Sequence, residues 1–144
     1  MNDPALMTKD LLVAAGVGVF GTTADFSIHV GAFPVSPEAC ILINAVGGLP
    51  PHPRLSLNYP SVQIVVRGKA SGYVAASAKI QQCVAVLLGM ATQTLSGDIY
   101  RACNLMGDVF TLGQDDNARP LLGANLRYIV EPALVAGGHR VSIS

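Results

Sequence analysis

The chain has 144 residues, of which 51% are hydrophobic and only 12% charged, and its nine basic and nine acidic side chains cancel. That length suits one domain with a sizeable core, and the zero balance excludes attraction of nucleic acid or an anionic membrane by a global field. A charged fraction about half the roughly 25% of an average soluble domain leaves much uncharged surface, which either belongs to an Ala/Gly/Val-rich monomer or is covered by other subunits.

Asp3 before Pro4 is a helix start, because Asp caps free amides and proline fits the first helical position. A helix over 4–15 is expected, with Leu6, Met7, Leu11, Ala14 and Ala15 on its apolar stripe, Thr8 and Lys9 turned away, Asp10 as a blemish on the stripe, and Gly16 as the stop. Phe26, Ile28, Val30 and Ala32 then alternate with Ser27 and His29, the period of a strand with one wet face, until Pro34 and Pro37 end it. Residues 39–46 and 62–66 are apolar on both alternating sets, so these strands are expected centrally with both faces covered. Between them, residues 47–54 read as a turn-rich connection whose three prolines cannot donate to a ladder.

After Gly68 and Gly72 the period becomes helical. Tyr73, Ala76, Ile80, Cys83, Val84, Leu87, Leu88 and Ala91 share one stripe, and the helix is expected to end between Gly89 and Thr92. Strands are expected at 99–105 and 109–112 around Met106-Gly107-Asp108, then a polar turn from Gly113 to Pro120, then a last strand alternating Leu122, Ala124, Leu126, Tyr128 and Val130 up to Pro132. Residues 136–144 form a tail that is either loose or adds to a neighbour's sheet edge through Val141 and Ile143. Helix, three strands, helix, three strands is a segregated order. It argues for a single α+β domain spanning 1–144, with a mixed, mostly antiparallel sheet packed by two main helices.

No chemistry of catalysis, cofactor binding or metal binding emerges. Gly16-Val17-Gly18-Val19-Phe20-Gly21 has the GxGxxG spacing, but a dinucleotide site needs it between a strand and a helix, and here a helix precedes it. His29, His52 and His139 lack metal-ligand spacing, no GxSxG is present, and Cys83 sits on the apolar helix stripe. Cys40, Cys83 and Cys103 read as buried reduced thiols. Asp115 and Asp116 lie in a turn without a calcium-loop pattern. No run is long and apolar enough to span a membrane, and Met1-Asn2-Asp3-Pro4 lacks a signal peptide's basic start, so a cytoplasmic site of synthesis and no membrane partner are expected. With so few charges, Arg54, Arg67, Arg119 and Arg127 are either placed for carboxylates across an interface or lie on a solvated face.

Ile43-Asn44-Ala45-Val46-Gly47-Gly48, then Pro51-His52-Pro53-Arg54, then Tyr59-Pro60-Ser61-Val62-Gln63-Ile64-Val65-Val66-Arg67-Gly68 resemble the minor capsid or tail terminator proteins of long-tailed bacteriophages. Leu112-Gly113-Gln114-Asp115-Asp116-Asn117-Ala118-Arg119-Pro120, with Asn125 in the closing strand, is similar to that family's turn and last strand, and the likeness runs in order over roughly residues 5 to 130. The resemblance implies a structural virion protein of the neck, not an enzyme. It would be assembled in the bacterial host cytoplasm as a homo-oligomeric, commonly hexameric, ring that caps the tail tube and offers the head-tail joining face. Its implied partners are the tail tube protein and a head completion or connector protein, and genomic DNA passes through the ring without sequence recognition. The loop at 47–58 and the turn at 113–120 are the expected contact elements, with Arg54, Arg67, Asp115, Asp116, Arg119 and Arg127 as candidate interface residues. The alternatives are another neck or head completion component and a small soluble ligand-binding or enzymatic α+β domain.

Overall fold

In the computed structural model, which describes residues 1–143, the Asp3 carboxylate accepts a hydrogen bond from the Ala5 amide at 2.8 Å and opens α1 (Pro4–Ala14). The helix stops at Gly16, whose φ of +76° suits a residue without a Cβ. The Gly16 amide donates to Val13 O and the Val17 amide to Leu12 O, the paired bonds of a Schellman ending, with Val17 buried beyond it. The buried face of α1 differs from the expected stripe. Ala5, Met7, Thr8 and Leu12 are buried, whereas Leu6, Ala14 and Ala15 are exposed, so Asp10 is no blemish and lies in solvent. The face is turned because Thr8 satisfies its hydroxyl inside: it bonds Pro4 O at 2.8 Å and the Tyr128 hydroxyl at 2.6 Å.

The strands β1 (Ser27–Val30), β2 (Cys40–Leu49), β3 (Tyr59–Arg67), β4 (Gln93–Leu95), β5 (Asp98–Leu105), β6 (Phe110–Gln114) and β7 (Pro120–Glu131) form one sheet, and α2 (Tyr73–Leu87) follows β3. Their order is β1-β2-β3-β7-β5-β4, with β6 also on β7, and every pair is antiparallel except β1 with β2. The α+β reading therefore holds, with β3 and β7 in the middle. Four strands, not three, follow α2. The added β4 is three residues long and joins β5 through Ser96-Gly97, both at positive φ, a two-residue hairpin turn too short to leave an alternating pattern.

Several boundaries move. The Gly47-Gly48 pair belongs to β2, where a register shift between Ala45 and Gly48 lets the strand continue to Leu49 opposite Tyr59. A Cβ at Gly48 would lie 2.2 Å from Tyr59 O, so only glycine allows this approach. β6 likewise runs through Gly113 and Gln114. α2 ends earlier than expected because Leu88 is already extended, which leaves Gly89 to Ala91 outside the helix, and Tyr73 is exposed.

Both helices pack on one face of the sheet. Ile41, Ile43, Val62, Ile64, Val66, Leu122, Ala124 and Leu126 meet Leu12, Ala76, Ile80, Cys83 and Leu87 in a single core, and each large side chain removed from water there contributes about 1.5–3 kcal/mol. The other face is closed at one end only. There Phe110 lies over Gly123, and the segment 33–38 is drawn down onto Arg67.

Candidate assembly interface

The elements nominated from sequence are all present at the surface or just beneath it, and they do not form one cluster. The loop after β2 is well tied. The His52 Nδ1 accepts from the Arg54 and Leu55 amides at 3.1 and 2.9 Å, the His52 amide donates to Leu57 O, and the Ser56 hydroxyl donates to Pro132 O at 2.7 Å. The tail holds the loop from outside. Val141 forms a bridge with Leu55 of the same chain, and the Arg140 guanidinium donates to Leu55 O and Leu57 O at 2.6–2.9 Å. Val141, a candidate for a neighbour's sheet edge, thus uses its backbone at home, donating to Arg54 O and accepting from the Ser56 amide. Nothing in the sequence announced the role of Arg140, whose partners lie more than eighty residues away.

Arg54 is exposed in this loop, with its side chain free of ion pairs among the described residues. Arg67 is different: it is only 5% exposed, donates to Glu38 O, Pro34 O and Pro37 O at 2.8–2.9 Å, and lies over the Phe33 ring at 4.8 Å. Its guanidinium is spent within its own chain, so it shapes the surface by holding 33–38. Three carbonyl partners suit its planar fork, which a lysine point charge cannot reproduce.

At the turn after β6, Asp115 accepts from the Asn117 and Arg119 amides at 2.9 and 3.1 Å and pairs with the Arg119 Nε at 2.7 Å. Burial works against ionisation, yet these amides and the guanidinium hold the Asp115 carboxyl below its ordinary value. The pair stiffens the turn and leaves Asp116 exposed at its tip. Arg127 stands elsewhere, on the uncovered sheet face between Ser61 and Asn104 of the flanking strands. It lines an open groove with Gln63, Asn125, Met106, Val46 and Gly48, and its Nε is buried without a partner among the described residues.

Elsewhere the surface exposes large apolar side chains. Val35, Val74, Leu134 and Val135 are more than half exposed, and Val46, Leu49 and Leu112 about half. No cluster of potential metal ligands occurs among the described residues. All three thiols are buried and free, and burial pushes Cys83 and Cys103 up to about 12, far from nucleophilic. Among the described residues no helix is long and apolar enough to cross a membrane. The arrangement offers surfaces for packing.

No curated protein matches the chain. The family model for the bacteriophage tail terminator protein matches residues 11–132, a span that takes in α1 from Leu11, the whole sheet, α2, the proline loop and the Asp115–Arg119 turn. The protein is a phage tail structural protein, and the chain belongs to the bacteriophage tail terminator family.

Proposed function

We propose that the protein forms a ring, six-membered by the family's habit, that caps the finished tail tube and presents the face on which the head docks. The observation that carries this reading is the charge-poor surface. Exposed Val46, Leu49, Leu112, Leu134 and Val135, on a chain with only 12% charged residues, favour cover by other protein. In a ring of identical subunits each heterologous contact uses two different patches, and closure leaves one rim for the tube and the other for a head completion or connector protein. Tube growth stops because the loops another tube ring needs are occupied. Arg54, Asp116 and the Asp115–Arg119 turn supply polar contacts at the rims, Arg127 sits in the groove, and Arg67 supports 33–38 from beneath. The genome passes through without sequence readout, consistent with the zero net charge. The assembled protein is a neck component of the virion, put together in the host cytoplasm.

The test is native mass by light scattering with negative-stain images, alone and after adding purified tail tubes. Rings, free or on tube ends, are the expected result. A monomer in both conditions overturns the reading.

A further inference from the structure

The sheet has two long borders that are both open and uncharged, and they lie on opposite sides. β1 pairs with β2 only as far as Ile43, so the arm 44–49 has no strand on its outer side. β6 pairs with β7, and among the described residues no strand lies beyond it. Of the remaining borders, the outer side of β5 is open over residues 101–105 but carries the charge of Arg101, which blunts an edge, and the others are closed or short. The outer side of β1 is taken by the Phe20–Ile28 bridge, with the Ile28 amide donating to Val19 O, and β4 has three residues.

An open edge presents a row of unpaired amides and carbonyls, and monomeric proteins blunt such rows with charge or proline. Neither border has either. Residues 44–49 read Asn-Ala-Val-Gly-Gly-Leu and 110–114 read Phe-Thr-Leu-Gly-Gln, with half-exposed Val46 and Leu49 on one and Leu112 on the other. Their lengths match to within one residue. Their directions match too: β2 runs antiparallel to β3, β3 to β7 and β7 to β6, so β6 is antiparallel to β2. In a ring of identically oriented copies, β6 of one copy therefore meets the arm of the next as an antiparallel pair.

We propose that the arm 44–49 of one subunit pairs with β6 of its neighbour, making the sheets continuous around the assembly. The proposal rests on the ring reading and names its subunit contact. The stagger of the two borders favours it. β6 lies level with residues 120–123 of β7, and the arm lies level with residues 59–63 of β3, whose middle residue Ser61 stands opposite Arg127. The offset is five to six residues, about 20 Å at 3.3 Å per residue. Level borders would give upright strands, whereas a fixed stagger per subunit is what a closed, tilted-strand barrel requires. The register shifts at Ala45/Gly48 and Thr111/Gly113 supply the local bend at each border.

The full-length chain carrying Val46→Cys and Leu112→Cys together tests the pairing, with each single change as its control. Both sites are about half exposed, so neither change opens the core, and the three native thiols are buried. A short bis-maleimide added to the assembled protein is expected to give a covalent ladder of two, three and more chains in the double variant and single chains in each control, because a heterologous contact never brings a residue against its own copy. Rings by light scattering and microscopy with no ladder overturn the strand pairing and leave the ring standing. Dimers from a single variant overturn it in favour of a two-fold contact. Monomers in every condition overturn the ring and the pairing together.

Discussion

Thr8 and Tyr100 show how differently two buried hydroxyls act. Thr8 has one hydroxyl proton, and with Pro4 O as its acceptor the remaining bond is donated by Tyr128, whose side chain is fully buried. The Tyr100 hydroxyl is buried without a partner among the described residues, while its ring meets Tyr128 edge-on at 5.1 Å. Burial raises both phenols above their ordinary range, so each enters the fold as a neutral hydroxyl. Thr8→Val removes the only partner of the Tyr128 hydroxyl among the described residues and is expected to cost about 1–3 kcal/mol, whereas Tyr100→Phe removes an unsatisfied group and is expected to be neutral or stabilising. Urea unfolding of both variants checks the pair, and a larger loss for Tyr100→Phe than for Thr8→Val contradicts this account. Helical spacing alone turns Thr8 to the wrong side of the helix, because it weighs a hydroxyl as polar and is blind to a partner 120 positions away.

Long elements with a steady period were legible, and elements bent by glycine were not. β7 and the stripe Ala76, Ile80, Cys83, Val84 and Leu87 emerge from alternation and helical spacing alone, because one face of each must be buried throughout. Gly47-Gly48 and Gly113 read as turns by residue type, yet both lie inside strands whose register shifts there. Arg67 was legible as a special charge but not as an internal one, since its partners are backbone carbonyls that carry no side-chain signal. This gives a sharp expectation. Arg67→Lys keeps the charge and loses the fork, so 33–38 loosens and the monomer loses about 2 kcal/mol, the scale of hydrogen bonds to a charged group. Unfolding of the dissociated chain measures it. An Arg67→Lys chain of unchanged stability that fails to assemble would return the residue to the interface.

At the scale of the whole molecule, the balance of charges decides how assembly responds to solvent. The ion pairs of the described residues lie within one chain: Arg119 meets Asp115 within one turn, Arg101 meets Glu131 across neighbouring strands, and Lys69 meets Asp25. The open borders at 44–49 and 110–114 carry no charge at all. A contact built from backbone hydrogen bonds and apolar side chains has little for salt to screen, although the screening length falls to about 3 Å at 1 M. The apparent dissociation constant of the assembly is therefore expected to change by less than about threefold between roughly 0.05 and 1 M sodium chloride. Sulfate is expected to tighten it, because an ion excluded from apolar surface favours burial. Sedimentation across a concentration series in each salt measures both. Rings that dissociate as sodium chloride rises would mean that Arg54, Asp116 and Arg127, rather than the uncharged borders, carry the contact.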